Sequence, residues 1–452
     1  MVYINNFKHL KLNAEVIFPF LSLFFLFFST NKLHAQRMLF DVPDSATLSK
    51  KDIPVIKTGN SIISISGYLQ PQFQATQEAG AGEFQGGAFQ GTATNRFRLR
   101  RGRIRFDYLF HDKNNRPSTY FVFQFDGNEQ GVNIRDFWGR YYENKWNVLS
   151  VTAGLFARPF GNELQLSSSS REAPERGRMS QILMKGERDL GAKITFNPRS
   201  EDNRLDFLEV DLGLFNGQGL TGPAEFDSKK DLVARISIKP QKVKSLGNIS
   251  IEGGISLLTG GLVNNADQLF SMQNYNGIWK MQSAGSNNKG KLAKRIYKGA
   301  DVEISTASKN WQTQVRAEYI FGTQSATRLS SQTPGSYPVL SNLPQPLYER
   351  PFRGGYLSFI QNLKNANNQL VLKYDWYDPN TKVRKESILP ENGLTAADIA
   401  YYTFGFGYLR KINKHLKIVF WYDWIKNEPS GIPLFERDVR DNVFTLRTQF
   451  SF

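Results

Sequence analysis

Six arginines lie close together in one short stretch of the sequence and are the residues best suited to do chemistry. They are Arg96, Arg98, Arg100, Arg101, Arg103 and Arg105. A guanidinium group donates two parallel hydrogen bonds to a carboxylate or a phosphate, and rings of Arg or Lys in a pore favour anions. The stretch therefore predicts a surface that contacts anions, unless these arginines only pair with carboxylates of the same chain.

The residues between these arginines indicate an extended strand with one irregularity. Phe97 and Leu99 are apolar before Arg100, whereas Ile104 and Phe106 are apolar after it. Because side chains alternate between the two faces of a strand, this change of phase predicts a β-bulge, which we place at Gly102, that turns all six arginines to one face. An arginine facing lipid near the bilayer midplane costs about 2–4 kcal/mol, so the shared face should be a water-filled one.

The wider sequence alternates in the same way from about residue 61 to its end. Near the C-terminus, for example, Ile418, Phe420 and Trp424 share one face, and Lys417 and Asp423 share the other. The composition agrees, with 13% aromatic but only 40% hydrophobic residues, as expected where apolar residues alternate with polar ones along membrane-spanning strands.

About sixteen such strands are predicted, and the lengths of their connections alternate. Connections after even-numbered strands are short, and most after odd-numbered strands are long, including residues 157–185, 259–297 and 323–351. Membrane barrels combine short periplasmic turns with long outer loops. The predicted fold is therefore all-β, a transmembrane antiparallel β-barrel over residues 61–452 with periplasmic N- and C-termini. A soluble β-sandwich, the alternative, gives no reason for this alternation.

The N-terminus has the features of an export signal. Lys8 and Lys11 precede an apolar run, residues 16–28, that matches a signal-peptide core and is too short to cross a bilayer as a helix. We predict a signal peptide over residues 1–35 and a periplasmic lead-in over residues 36–60, with an anchoring helix as the alternative. Cleavage would lower the net charge from +16 to +14, because residues 1–35 hold three Lys and one Glu.

The last strand ends in an aromatic residue. Phe444, Leu446, Phe450 and the terminal Phe452 fall on one face of it. Together with an export signal, this ending resembles the assembly signal of outer-membrane proteins. Phe450 and Phe452 are therefore the residues that we expect the outer-membrane assembly machinery to read.

Further charged residues should face the same interior as the six arginines. By strand parity the basic ones are Lys193, Arg235, Lys239, Arg316, Lys373 and Arg447. The connection over residues 157–185 adds Arg158, Arg171, Arg176, Arg178 and Lys185. Inward carboxylates are also numerous, namely Asp107, Asp126, Asp189, Glu209, Asp211, Asp231, Asp301, Glu303, Glu318 and Asp375, so purely structural pairing stays open.

Enzymatic chemistry has little support. Of four histidines, His9 and His34 fall in the predicted signal peptide, and His111 and His415 fall in predicted turns. The absence of cysteine excludes disulfides and thiolate metal sites, and neither metal-ligand spacing nor a phosphate-binding glycine loop is found. We predict no enzyme, metal or cofactor. The basic charge could suit nucleic acid, but export and its spread over many strands argue against that partner.

Four ordered blocks in the first half of the mature chain resemble the family of phosphate-selective porins O and P. They are the arginine-rich residues 97–106, the acidic and aromatic residues 136–138, the Pro-Phe-Gly block of residues 154–163, and the Asn-Gly turn of residues 215–219. The family often has Lys where this chain has Ala157, which Arg158 follows.

The resemblance implies a trimeric channel whose lumen is lined by Lys and Arg and narrowed by an inward-folded third outer loop, here residues 157–185. We therefore predict an outer-membrane porin, surrounded by outer-membrane lipid, that passes small polar solutes and prefers inorganic phosphate or other small anions. The alternatives are a general diffusion porin without anion selectivity and a structural or adhesive barrel.

Overall fold

The computed structural model describes residues 55–200, 202–220, 225–243, 249–283, 285–306 and 311–452. The predicted signal peptide and residues 36–54 of the predicted lead-in lie outside the described residues. Within the described part, no helix is long and apolar enough to cross a membrane.

The described residues form a closed barrel of sixteen antiparallel strands. These are β1 (Ser61–Thr76), β2 (Asn95–His111), β3 (Pro117–Asn128), β4 (Gly131–Tyr142), β5 (Leu149–Ala157), β6 (Arg188–Phe196), β7 (Leu208–Phe215), β8 (Asp231–Val243), β9 (Ile249–Val263), β10 (Leu292–Thr306), β11 (Thr313–Ala326), β12 (Leu347–Leu363), β13 (Asn365–Asp378), β14 (Tyr401–Lys411), β15 (Leu416–Asn427) and β16 (Val443–Ser451). Each strand pairs with the next, and β16 pairs with β1. The predicted all-β barrel and its strand number are confirmed.

Alternation along each strand gives the barrel an apolar exterior and a polar interior. In the second half of β2, Phe106, Tyr108 and Phe110 are exposed, whereas Asp107 and His111 are buried. A water-soluble protein would place these residue types the other way round. The arrangement is that of a barrel that spans a membrane with its strands.

The predicted bulge in β2 exists, but it lies at Arg100 and not at Gly102. Gln70 of β1 pairs with Arg101 and Pro71 pairs with Leu99, so Arg100 is the extra residue. Because Pro71 has no N–H to donate to a neighbouring strand, an irregularity opposite it breaks no hydrogen bond that Pro71 would have donated. A second bulge lies at Arg135 of β4, where the pairing with β3 shifts.

The β1–β16 pair closes the barrel with the chain's last residue. The backbone N–H of Phe452 donates to the carbonyl of Gly67 at 3.0 Å, and the N–H of Gly67 donates to the carbonyl of Phe452 at 3.2 Å. A Cβ added at Gly67 would lie 2.4 Å from Cζ of Phe452 and 2.6 Å from the carbonyl oxygen of Arg103. Next to this pair, a short strand, Val55–Thr58, pairs with the first residues of β1.

Short and long connections lie at opposite ends of the barrel, as predicted from their lengths. The short ones include residues 112–116, 143–148 and 412–415, and the long ones include residues 77–94, 158–187, 264–291, 327–346 and 379–400. The exception, residues 129–130, joins β3 to β4 at the long-loop end. There the loops pack together around buried apolar side chains such as Met281, Ile388 and Leu394.

Candidate functional site in the barrel interior

Residues 158–187, here called the inner loop, cross the interior of the barrel. The Ser168 hydroxyl hydrogen-bonds the Tyr68 hydroxyl of β1 at 2.7 Å. The Gly161 N–H donates to the Ser256 hydroxyl of β9 at 3.0 Å. Because β9 is halfway round the barrel from β1, the inner loop spans the interior from one wall to the other.

Apolar packing and hydrogen bonds to the Glu318 carboxylate hold the inner loop in place. Phe160 and Met179 are almost fully buried, and the Phe160 ring meets the Tyr297 ring of β10 edge-on at 6.2 Å. Burying such side chains contributes about 1.5–3 kcal/mol each. The Glu318 carboxylate of β11 accepts hydrogen bonds from the N–H groups of Asn162 and Glu163 at 3.0 and 2.8 Å.

Three arginines share a single carboxylate of the inner loop. Arg100 donates to both oxygens of Glu175 at 2.9 and 3.0 Å. Arg101 donates to both at 3.2 and 2.7 Å, and Arg447 of β16 adds a bond of 2.7 Å. We call Arg100, Arg101, Arg103, Arg105 and Arg447 the basic wall, since β16, β1 and β2 are neighbours. In the Glu175 cluster, guanidinium groups outnumber carboxylates.

The surroundings of the Glu175 carboxylate keep it charged. Burial raises its pKa, but Arg100, Arg101 and Arg447 together hold the pKa well below the usual range. Burial and the nearby Arg101 lower the pKa of Arg171 to about 10. Both groups therefore stay ionised at neutral pH, and Glu175 stays so in mild acid.

The remaining residues of the arginine stretch are placed in two ways. Arg103 pairs with Asp126 at 2.8 Å, and Arg105 pairs with Asp107 at 2.9 Å. Arg96 and Arg98 donate to backbone carbonyls of residues 77–94, and Arg98 also pairs with Glu129 at 3.3 Å. That segment is the long connection after β1, and it bends inward far enough to bind these two arginines.

Across the interior, most charges are matched one to one. We call Asp211, Asp231, Asp301, Glu303 and Glu318, on β7 to β11, the acidic wall. Its ion pairs are Arg235 with Asp301 at 2.5 and 2.9 Å, Lys193 with Asp211 at 3.2 Å, Arg295 with Asp231, and Arg316 with Glu303 at 2.8 Å. Arg316 also pairs with Glu172 of the inner loop at 2.8 Å. Glu318 forms no ion pair with a described residue and is held by backbone N–H groups.

The five predicted cations of the inner loop have different surroundings. Arg158 lies 3.7 Å from Asp189, Arg171 bonds the carbonyls of Ala173 and Pro174, and Arg176 bonds three carbonyls of its own loop. Arg178 lies between the rings of Phe84 and Tyr401, at 4.4 and 3.4 Å from their centroids. Lys185 is exposed. Arg158, Arg171 and Arg176 are thus buried, Arg178 is half-buried between its two rings, and Lys185 is exposed.

Sequence reasoning missed several buried charges. Arg135, Arg188, Arg295 and Arg350 are all buried. For Arg135 a signal existed in the sequence, because the apolar residues Ile134 and Phe137 are three residues apart, a change of phase like the one in β2; in the structure the bulge leaves the consecutive residues Arg135 and Asp136 both buried. Lys373, which was predicted, pairs with Glu163 of the inner loop, and nothing in the strand pattern pointed to that partner.

Comparison with known proteins shows the fold. No protein-family model and no curated protein matches the chain. The structure is similar to the outer membrane channel DcaP of Acinetobacter baumannii, with a TM-score of 0.51, 12% identity, and coverage of 88% of this chain and 99% of that one. It is also similar to OprB of Pseudomonas putida, with a TM-score of 0.53, 12% identity, and coverage of 86% and 94%.

These likenesses and the apolar exterior give the chain the fold of an integral outer-membrane protein. At 12% identity they concern the fold alone. The resemblance to the phosphate-selective porins therefore stays a prediction from the sequence.

Proposed function

We propose that the protein is an outer-membrane porin whose water-filled lumen passes small polar solutes and prefers anions. The observation that carries the proposal is the Glu175 cluster, where Arg100, Arg101 and Arg447 face one carboxylate. Uncompensated charge in a narrow, partly dehydrated passage acts strongly on ions, because the effective dielectric constant there is lower than in bulk water. The name of one similar structure, an outer membrane channel, supports the general function.

Inorganic phosphate is the anion that the sequence resemblance favours. Arginine forks bind phosphate bidentately, and Arg101, Arg103 and Arg105 follow one another along the inward face of one strand. Alternate residues of a strand are about 6.6 Å apart, so an anion could pass between neighbouring donors without losing all its partners.

The competing function is general diffusion without anion preference. The one-to-one ion pairs of the acidic wall favour general diffusion, since inward-facing charged residues that pair with each other stabilise the barrel and leave no excess charge to act on a solute.

A conductance measurement tests this proposal. The purified protein is inserted into a planar bilayer with KCl at unequal concentrations on the two sides, and the reversal potential is read. We expect discrete conductance steps and a reversal potential that is displaced from zero towards the equilibrium potential of chloride. Steps without such a shift would favour general diffusion, and a folded protein without steps would favour a structural or adhesive barrel.

The orientation is proposed from the connections. Short turns and both termini would lie in the periplasm and the long loops outside. Because the chain has no cysteine, a single cysteine introduced at the exposed Asn276 or Asn114 is the only thiol that a reagent can label in that variant. In intact cells an impermeant thiol reagent should label the Asn276→Cys variant and not the Asn114→Cys variant. The opposite result would reverse the orientation.

Assembly is proposed to follow the same pattern. The predicted signal peptide, residues 1–35, would direct export, and the assembly machinery would read Phe450 and Phe452 before the barrel enters outer-membrane lipid. The resemblance to the phosphate-selective porins supports a homotrimer. The folded barrel should resist unfolding by detergent at room temperature and unfold on heating. Deletion of Phe452 should reduce the amount of this heat-modifiable form. An unchanged amount of folded barrel would show that assembly does not require Phe452.

A further inference from the structure

Glu175 occupies a site that has the chemistry of an oxyanion receptor. Its carboxylate receives paired donors from Arg100 and from Arg101, and a further bond from Arg447. Side-by-side donation from a guanidinium fork is how a free carboxylate, phosphate or sulfate is recognised. The side chains of Glu175, Arg101 and Arg447 are 8%, 7% and 3% exposed, so the site is built into the barrel interior.

The site holds more donors than the Glu175 carboxylate satisfies. Nη1 of Arg171 and Nε2 of Gln72 are buried and have no hydrogen-bond partner among the described residues. Gln72 belongs to the cluster, because its side-chain amide oxygen accepts two bonds from Arg447. Arg171 lies beside it, because Arg171 and Arg447 both donate to the backbone carbonyl of Pro174, at 3.0 and 2.6 Å. A buried donor without a partner is energetically unfavourable. A tetrahedral oxyanion has more oxygens than a carboxylate and could use such donors.

The carboxylate and the arginines belong to different parts of the fold. Arg100, Arg101 and Arg447 are fixed on the hydrogen-bonded strands β2 and β16, whereas Glu175 lies in the inner loop. A small cavity borders the cluster and is lined by Glu175, Arg176, Lys373 and Asp423 among others. The carboxylate could thus leave the arginines by a movement of the inner loop, which would also widen this cavity for a solute.

We propose that Glu175 is a tethered competitor, whose carboxylate occupies an oxyanion site formed by Arg100, Arg101 and Arg447 and so keeps the binding of passing oxyanions weak. A tethered group competes at an effective concentration in about the millimolar range or above. Fast passage needs a site that attracts the anion without holding it, and the competitor supplies that limit. The inference rests on the proposed channel function and adds the residue that sets its affinity.

The test compares two neutralised carboxylates of the same loop. Glu175→Gln removes the competitor and keeps its shape, and Glu172→Gln makes the same charge change at the partner of Arg316. Chloride current is measured while inorganic phosphate, sulfate or acetate is added, and the half-blocking concentration is read. In Glu175→Gln it should fall roughly tenfold or more for phosphate and sulfate, and less for acetate. In Glu172→Gln it should stay close to wild type.

Equal falls in both variants would mean a general field effect and would overturn the proposal, as would an unchanged value in a conducting, folded Glu175→Gln channel. The double variant Glu175→Gln/Arg447→Gln should return towards the wild-type value, because it also removes one donor. If Glu175→Gln does not fold, Glu175→Asp, which shortens the tether, should show a smaller fall in the same direction. No fall in Glu175→Asp would likewise overturn the proposal.

A second readout separates this inference from the channel proposal. Phosphate should raise the unfolding temperature of the folded Glu175→Gln barrel in detergent more than that of wild type, whether or not either conducts. Failure of wild type to conduct would count against the channel. Equal stabilisation of the two proteins by phosphate would count against the competitor.

Discussion

The two walls of the interior carry similar residues but arrange them differently. On the acidic wall each of Arg235, Lys193 and Arg295 has its own carboxylate. On the basic wall, Arg100, Arg101 and Arg447 share Glu175. A buried ion that loses its only partner is left uncompensated in a poorly solvated place, so one-to-one pairs chiefly serve stability. A shared carboxylate leaves surplus positive charge and a redundant network, which is better suited to acting on a solute.

The largest expected effect comes from breaking a matched pair. Asp301→Asn removes the carboxylate that accepts two bonds from Arg235. Loss of one partner of a buried ion pair costs about 3–5 kcal/mol, and the free energy of unfolding in denaturant should fall by that amount. Glu386→Gln, the same kind of change at an exposed residue, is the control and should change little. A loss for Asp301→Asn no larger than for this control would show that the acidic wall is not stabilised by matched pairs.

A smaller effect is expected where the closing pair adjoins the basic wall. Gly67→Ala places a methyl group against the Phe452 ring and the carbonyl of Arg103, and overpacking of this kind costs about 1–3 kcal/mol. Denaturant unfolding should show this loss. Gly91→Ala is the control, because a Cβ at Gly91 meets nothing within 4 Å. Equal stability of the two variants would mean that the last residue is not fixed against β1 as described.

The smallest effect on stability is expected from Arg101→Gln. Glu175 would keep Arg100 and Arg447 as partners, so the carboxylate is not left unpaired, and the lost bonds should cost about 1 kcal/mol or slightly more. The measurement is again denaturant unfolding, side by side with Asp301→Asn. If Arg101→Gln were as damaging as Asp301→Asn, the basic wall would lack the redundancy that distinguishes it here.

The sequence predicted the strands well because their signal is local. Alternation of Phe and Tyr with charged residues fixes which face each strand turns to lipid, and a change of phase at Arg100 revealed the bulge to within two residues. The position of the bulge depends on Pro71 in the neighbouring strand β1, and the sequence of β2 alone gives no information about that residue.

The partners of the charged residues could not be predicted in this way. Glu175 and Arg447 lie 272 residues apart in the chain. The alternation of side chains along strands does not predict the direction of a loop residue such as Glu175. The inward bend of residues 77–94 was missed for the same reason, since carbonyl groups that bind Arg96 and Arg98 leave no trace in residue type.

If the surplus charge of the basic wall sets ion preference, the reversal potential in a KCl gradient must depend on that charge. Arg101→Gln/Arg447→Gln removes two charges from the basic wall, and Lys289→Gln/Lys291→Gln removes two from exposed positions of residues 264–291. Exposed charges are screened within about 10 Å at 0.1 M salt. The first variant should move the reversal potential towards that of potassium, and the second should keep the wild-type value. Equal shifts, or a wild-type value retained by the first variant, would show that the basic wall does not set ion preference.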